Sequence, residues 1–319
     1  MIEEKIIEIL KSKSGYVSGE EISDHLRLSR QALWKHIQEL RDSGYDIVAV
    51  PHLGYQLVQL PDRLFPQEIG SGLETKFIGK KIHYQEKVSS TMDLALNLGL
   101  QGASEGTVIV TESQSKGRGR LGRNWISPKY KGIYFSVILR PKISPLQASL
   151  LTILCAVGLC EAIKENAQIE PQIKWPNDLL INQKKIAGIL TELNAEMDEV
   201  RFVNIGIGLN VNTEKKALIS SATSLKEELG KEVNRVELLK AILRRIETNY
   251  LLFRENRRKE IIEKWREYNT TLGKRVKILV RNQHLEGQAV DIDLDGALLV
   301  RKDSGVVQKI SSGDIILCR

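Results

Sequence analysis

The succession of strand-like and helix-like segments in the middle of the chain constrains its fold most. Between residues 64 and 268, seven short apolar runs resemble strands, and the last four follow one another with no helical pattern between them. Parallel strand pairs need a long crossover connection, usually a helix, so consecutive strands favour antiparallel or mixed pairing. We therefore predict an α+β domain in which helices back a mixed sheet. The strand-like runs are 81–84, 107–111, 133–139, 173–175, 179–181, 186–193 and 202–211, and the helical patterns are 91–100, 146–166 and 236–268.

Residues 1–60 predict three helices and a β-hairpin. Ser18 and Glu21 form a capping-box pattern at the start of the second helix, and Ser29 is a candidate N-cap of the third. Gly44 supplies the stop signal of that third helix. Two short helices joined by a tight turn and followed by a hairpin are typical of a winged helix-turn-helix domain. The strand-like runs of the hairpin are 45–50 and 55–60.

One face of the predicted third helix is polar and suited to DNA. It combines donors for phosphate with side chains that hydrogen-bond base edges. The segment as a whole carries seven Lys and Arg and nine Asp and Glu, so affinity would have to come from this local patch. A winged helix that serves only as a protein-docking module is the alternative. The candidate DNA-binding residues are Arg30, Gln31, Trp34, Lys35 and Gln38.

Two further segments complete the predicted organisation. Pro61 to Arg63 and the nearby Pro66 read as a linker between the N-terminal domain and a domain over residues 64–268. Residues 270–319 hold short β-rich stretches separated by Gly or Asp turns, which suggests a small barrel. The strand-like stretches there are 275–280, 288–293, 297–301 and 306–310.

Composition describes an ordinary soluble protein and limits metal chemistry. The net charge of +7 over 319 residues allows an acidic partner without demanding one. Three cysteines without a CxxC pair and five scattered histidines predict neither a disulfide framework nor a Cys or His metal site, so any metal would be carboxylate-bound. The apolar run 150–160 is too short to span a bilayer, and the N-terminus has no secretory pattern. We expect a cytoplasmic protein.

The loop over residues 116–125 alternates glycine with arginine, in the pattern KGRGRLGRNW. Glycine lets the backbone approach a ligand closely, and the arginine fork grips a carboxylate or phosphate with two hydrogen bonds. Three clustered arginines are unfavourable unless something negative lies among them, so the loop suggests that two anionic reactants are held together. A solvated basic loop or a nucleic-acid patch is the alternative.

A second polar constellation follows in KWPND, residues 174–178, and in the run that begins at Lys184. Asp178 would place a carboxylate at a strand end, where it could hold Mg²⁺ through oxygen. Lys185 precedes an apolar strand and could extend its ammonium into a cleft. A simple turn and a solvated hairpin tip are the alternatives.

Two more segments could approach a ligand. The strand GIGLN, residues 206–210, permits close contact through its glycines, although it is not a dinucleotide fingerprint because a third glycine and a following helix are missing. The loop at 116–125 likewise lacks the ending of a Walker motif. Ser90 and Thr91 could cap the helix that starts near Met92 or line the pocket.

Together, GRGRLGRNW, KWPNDLLINQKKIAGIL and GIGLN, placed after a winged-helix segment, resemble the bifunctional biotin protein ligases that also act as biotin operon repressors. The resemblance covers all three segments. It implies a winged helix over 1–60, a ligase domain of the class II synthetase/biotin ligase type over 64–268, and an SH3-like barrel over 270–319. It also implies a reaction in which biotin and MgATP give biotinyl-5′-AMP and pyrophosphate, after which a lysine of the biotin carboxyl carrier protein receives the biotinyl group.

Residue roles follow from the same resemblance, by motif match. It makes Arg118, Arg120 and Lys185 the catalytic residues, aligning and neutralising the carboxylate and the α-phosphate. Asp178 would hold Mg²⁺. The loop would order over the product as a lid. The biotin-binding residues are Ser90, Thr91, Gln114, Gly117, Arg118, Gly119, Arg120, Lys185 and Gly188, and the ATP-binding residues are Arg123, Trp125, Asn177 and Asn210.

Some family members carry a tryptophan before the Thr223 to Leu225 stretch, whereas residues 213–222 here contain none, so Trp125 becomes the candidate aromatic wall for either biotin or adenine. Biotinyl-AMP would promote a homodimer that presents two recognition helices to operator DNA. The competing hypotheses are a biotin-sensing regulator with an inactive ligase domain and a lipoate-type ligase.

Overall fold

The structure is a computed structural model that describes residues 2–196, 199–280 and 283–317. It divides into two compact units, Met1–Arg63 and Leu64–Arg319.

The N-terminal unit has the predicted three helices and hairpin. Ser29 caps the third helix by accepting a hydrogen bond from the Ala32 N–H at 3.1 Å, and Gly44 follows that helix at φ 97°. Ser18 caps the second helix, but the predicted reciprocal capping box is wrong because Glu21 pairs with Lys13 instead. The elements are α1 (Ile2–Ser12), α2 (Gly19–Leu26), α3 (Arg30–Asp42), β1 (Asp46–Val50) and β2 (Gly54–Gln59), with β1 and β2 antiparallel.

The second unit begins with a helix at a point where the sequence predicted only a linker. Pro66 is the first residue of α4 (Pro66–Gly70), a position that tolerates proline because the first N–H of a helix has no partner within it. Just before it, the Leu64 N–H donates to Glu112 at 2.8 Å. The chain is therefore anchored to the second unit from Leu64 onward.

A seven-stranded mixed sheet forms the centre of this unit, as predicted. Its order is β3-β4-β5-β9-β8-β7-β6, and of its neighbouring pairs only β3 with β4 is parallel. The long strands β8 and β9 pair with each other, and residues of both line the cavity described below. The strands are β3 (Ile82–Val88), β4 (Val108–Gln114), β5 (Gly132–Leu139), β6 (Gln172–Lys174), β7 (Asp178–Ile181), β8 (Lys184–Glu196) and β9 (Glu199–Asn210).

Helices on this sheet depart from the prediction in two places. The single helix predicted over 236–268 is broken, because Asn256 adopts a left-handed conformation with φ 60°. The short α7 was not predicted; Ser224 caps it and Gly230 ends it. The helices are α5 (Thr91–Leu100), α6 (Ala148–Ala167), α7 (Leu225–Leu229), α8 (Arg235–Arg254) and α9 (Arg258–Tyr268).

The apolar run 150–160 lies inside a longer helical segment, close to the helical pattern predicted over 146–166. Residues Pro145–Ala167 form 23 residues of helix, which by length and composition alone would suffice to cross a membrane, so the expectation of a run too short to do so was wrong. Of its most apolar stretch, 78% is buried inside the protein. The reason is that α6 packs on the sheet and on α8 within the core.

Five antiparallel strands form the C-terminal part of the same unit, in the order β13-β12-β11-β10-β14. Four were predicted and the last was not. The indole N–H of Trp175 donates to the Gly296 carbonyl at 2.9 Å, which fastens this sheet to the end of β6. The strands are β10 (Arg275–Val280), β11 (Gln283–Ile292), β12 (Leu298–Arg301), β13 (Val307–Ile310) and β14 (Asp314–Leu317).

Candidate functional site

A cavity of about 180 Å³ opens where β4, β8 and β9 meet the start of α5. Most of the predicted site residues line it, although they come from four distant parts of the chain. Residues that the prediction omitted, including Met92, Asn124 and Ile219, line it as well. The predicted residues on its wall are Ser90, Thr91, Gln114, Arg118, Gly119, Arg120, Arg123, Trp125, Asn177, Asp178, Lys185 and Gly188.

The loop that carries the arginines is a tight hairpin. Trp125 N–H donates to Gly117 O at 2.8 Å, and Gly119 N–H donates to Arg123 O at 2.7 Å. The turn passes through Leu121 and Gly122, both in the left-handed region. Gly117 does not line the cavity; a Cβ there would lie 2.5 Å from the Trp125 carbonyl oxygen, so this glycine is required by the hairpin itself.

The arginines are not the unpaired cluster that the sequence suggested. Arg118 Nη2 lies 2.9 Å from Glu192 Oε2 and 3.1 Å from Asp93 Oδ1. Carboxylates of the chain itself therefore lie beside this guanidinium, and spacing along the sequence gave no sign of them.

Arg120 points to the other side of the hairpin. Its guanidinium donates to Asn177 Oδ1 at 2.9 Å and to the Gly313 carbonyl at 3.1 Å. Gly313 lies between β13 and β14, so the C-terminal sheet contributes to holding a predicted catalytic residue.

Lys185 and Asp178 form an ion pair in the wall of the cavity. Lys185 Nζ is 2.5 Å from Asp178 Oδ1 and 5.5 Å from the centre of the Trp125 ring. Among the described residues on this wall, Asp178 is the only acid. A single carboxylate fits a Mg²⁺ ion that takes most of its oxygen ligands from substrate phosphates, and it does not form a cage for a resident ion.

Small polar side chains gather at the end of the cavity near α5. Ser90 caps α5, and the Thr91 N–H donates to Gln114 Oε1 at 2.9 Å. Ser136 donates to Thr91 Oγ1 at 2.8 Å, and Gln114 Nε2 donates to Ser127 Oγ at 3.0 Å. The prediction missed Ser127 and Ser136; the hydroxyl of Ser136 inside an otherwise apolar strand was the available signal.

Trp125 separates this cavity from a second one of about 90 Å³. Both cavities are lined by Trp125, Lys185 and Ile219. Asn210, which does not reach the first cavity, lines the second and donates to Thr223 O at 3.0 Å. Leu218 and Ile219 give the second cavity an apolar wall in place of the missing tryptophan.

The predicted DNA-binding residues lie on one side of α3 in the N-terminal unit. Arg30, Gln31, Trp34 and Lys35 are exposed, and Gln38 is half-buried, whereas the opposite side of α3 is buried. Trp34 is 57% exposed, which is unusual for so large an apolar side chain.

Comparison with known proteins agrees with this arrangement. A model of the biotin/lipoate A/B protein ligase family matches residues 84–212, a helix-turn-helix domain model matches 3–56, and a biotin protein ligase C-terminal domain model matches 271–317. The bifunctional ligase/repressor BirA of Bacillus subtilis is 41% identical over 306 residues, 95% of this chain and 94% of that protein. The BirA of Escherichia coli is 28% identical over 315 residues, 98% of this chain and 96% of that protein.

A solved structure, the biotin protein ligase from Aquifex aeolicus in complex with biotin and ATP, superposes with a TM-score of 0.65 at 34% identity and covers 75% of this chain and 99% of its own. Identity above 30% over nearly the full length, together with all three domain matches, shows the family. The chain belongs to the biotin protein ligases, among the bifunctional ligase/repressors that carry an N-terminal helix-turn-helix domain.

Proposed function

We propose that this chain activates biotin with ATP and passes it to a carrier protein, and that the product of the first step makes it a repressor of biotin genes. A biotin carboxylate oxygen attacks the α-phosphorus of ATP, which gives biotinyl-5′-AMP and releases pyrophosphate. A lysine amine of the biotin carboxyl carrier protein then attacks the biotinyl carbonyl, loses a proton and displaces AMP. The observation that carries this proposal is the pair of adjoining cavities with Lys185 at their common wall.

The larger cavity is proposed to hold biotin. A ureido ring needs a hydrogen-bond partner for each buried polar atom, and Ser90, Thr91 and Gln114 offer both donors and acceptors at one end of this cavity. Gly188 leaves room, since a Cβ there would be 3.1 Å from both Trp125 and Lys185 side-chain atoms. The hairpin of Gly117, Arg118, Gly119 and Arg120 closes the carboxylate end.

The nucleotide is proposed to occupy the second cavity and the rim between the two. Trp125 and Asn210 would face the base and sugar, and Arg123 and Asn177 the phosphates. Mg²⁺, when bound with ATP, supplies charge neutralisation and alignment of the phosphate oxygens at Asp178. Asp178 would then orient that charge while it holds Lys185 in place.

Catalysis is assigned to Arg118, Arg120 and Lys185. Biotin carboxylate and ATP are both anionic, so their approach costs electrostatic energy that fixed cations offset in a cavity with little water. Lys185 lies between the two cavities and would bridge the carboxylate and the α-phosphate. Arg120 is braced by Asn177 and Gly313, so its guanidinium needs little reorganisation when charge develops.

DNA binding is proposed for Arg30, Gln31, Trp34, Lys35 and Gln38 on α3. Biotinyl-5′-AMP would favour a homodimer that places two such helices on operator DNA. We place the protein in the cytoplasm, which suits the two buried, free cysteines Cys155 and Cys160. Cys318 lies outside the described residues.

We propose domain boundaries at 1–60, 64–268 and 270–319, with the middle domain of the class II synthetase/biotin ligase type and the C-terminal sheet an SH3-like barrel. The support is the sheet order in each part.

The test is transfer of radiolabelled biotin to a purified carrier domain in the presence of MgATP. We expect Lys185→Gln to lower transfer about 100-fold or more, because a preorganised charge at the reacting centre is lost. Lys184→Gln is the matched control, since Lys184 is adjacent and exposed, and it should transfer normally. No transfer by the native chain would favour the inactive, biotin-sensing regulator, and preference for lipoate over biotin in competition would favour the lipoate-type ligase.

The repressor half is tested by gel-shift titration on biotin-operon promoter fragments. Binding should tighten when biotin and ATP are added together and not when either is added alone. Equal affinity in all conditions would refute ligand-dependent repression and leave the ligase proposal intact.

A further inference from the structure

Arg118 pairs with two carboxylates, Asp93 and Glu192, that belong to two different elements next to the proposed biotin cavity. Asp93 is the third residue of α5, and Glu192 lies on β8, so both belong to regular elements, whereas Arg118 belongs to the hairpin. The two distances, 3.1 and 2.9 Å, are those of direct ion pairs.

These contacts tie the hairpin, which lines the cavity, to α5 and β8, two elements that line the cavity through other residues. Within the hairpin, Arg118 is bridged to Asn124, and Gly119 N–H donates to Arg123 O. A contact that fixes the Arg118 side chain therefore also restrains the backbone of the hairpin. Arg120 holds the same hairpin from its other side, through Asn177 and Gly313.

Charge governs the contacts of Arg118. One cation lies beside two anions, so these three side chains together carry a net negative charge. All three are at least one-third exposed, so salt should weaken their contacts.

We propose that Asp93 and Glu192 are positioning residues that act through Arg118 to keep the hairpin closed over the adenylate, and so set how long the intermediate stays on the enzyme. This proposal rests on the proposed ligase function. It assigns the carboxylates no contact with the reacting atoms; they decide how often the cavity opens to water and to bystander amines.

The experiment uses the full chain loaded with labelled biotin and MgATP, desalted, and then chased with unlabelled biotin and ATP. The Asp93→Asn/Glu192→Gln double variant should lose label about fivefold faster than the native chain, a modest factor because partly exposed ion pairs are individually weak. Each single variant should lose label at a rate between those of the native chain and the double variant. The single variants also provide a test if the double variant does not fold. Raising the salt concentration should speed loss from the native chain more than from the double variant, which no longer has the Arg118 ion pairs.

Glu196→Gln is the matched control, because Glu196 lies on the same strand but pairs with Arg201. It should retain label like the native chain. Equal retention by all variants, or the same salt response in the native chain and the double variant, would overturn this inference. A native chain that never acquires label would instead refute the proposed function, so the two failures are distinguishable.

Discussion

The indole of Trp125 lies directly against Gly208 of β9. A Cβ built on Gly208 would be 2.5 Å from both Cε2 and Nε1 of that ring. Gly208 thus leaves the space that the Trp125 indole occupies between the two cavities. A side chain at this position would displace the indole.

Gly208→Ala should therefore impair binding of both reactants. We expect the KM for biotin and for ATP to rise about tenfold or more, because the ring must move into the space of one cavity or the other. Steady-state pyrophosphate release measures both constants. Gly230→Ala is a control for general stability, since nothing lies near its Cβ, although its positive φ carries some strain. Unchanged KM values in Gly208→Ala would contradict this role for Trp125.

The sequence predicted most elements of the fold, but it predicted fewer of the contacts within the site. Capping residues and apolar alternation are local signals, so the three N-terminal helices, α5 and the strands of the large sheet were predicted in the right order. Several strand ends differ by three or four residues, as in 81–84 against Ile82–Val88. The break at Asn256 and the start of α4 at Pro66 were missed. Asn256 adopts the left-handed conformation, which Asn does more readily than most residues, and Pro66 takes the first helical position, where proline is common, so both sites carried a local signal that the prediction overlooked.

For the site, motif resemblance identified residues but not their partners. Arg118 meets Asp93, which precedes it in the sequence, and Glu192, which follows it by 74 residues. Arg120 meets Gly313, almost 200 residues later. Pairings of this kind depend on tertiary packing, which no periodicity or spacing within a single sequence encodes.

Lys35 on α3 should contribute to DNA affinity through phosphate rather than through base identity. Lys35→Gln should weaken binding to operator and to unrelated duplexes by a similar factor, and lower the slope of log affinity against log salt by about 1. Fluorescence anisotropy at several salt concentrations measures this. Trp34→Ala should instead weaken operator binding preferentially. Neither change should alter biotin transfer, and a loss of transfer would show that α3 acts on the ligase unit.

Acid should loosen the packing of α1 on α3. A hydrogen bond from its own backbone N–H, followed by a hydrogen bond with His36, outweighs desolvation and lowers the pKa of the Glu3 carboxyl below its ordinary 4.5. A group with a depressed folded-state pKa stabilises the fold above its unfolded pKa, and that stabilisation is lost as the pH falls through the folded value.

Hydrogen exchange of the α1 amides, corrected for the intrinsic rate, should therefore become faster below about pH 4.5 in the native chain. In Glu3→Gln this pH dependence should be much weaker, whereas Glu8→Gln, an exposed change on the same helix, should behave like the native chain. The same acid response in Glu3→Gln would assign the effect to other groups.

The fully buried ion pair between Glu112 and Arg235 should be sensitive to the loss of either charge. Arg235 Nη1 is 2.7 Å from Glu112 Oε2, both side chains are 0% exposed, and Arg235 also donates to Gly132 O at 3.0 Å. Glu112 in addition accepts the Leu64 N–H. Removing one partner of a buried ion pair costs about 3–5 kcal/mol, whereas the native pair does little more than offset its own desolvation. We expect Glu112→Gln to lower the free energy of unfolding by that amount in a denaturant titration, and Glu260→Gln, which breaks an exposed pair with Arg257, to change it little. If both variants unfolded at the same denaturant concentration, the buried pair would not be the anchor that its geometry indicates.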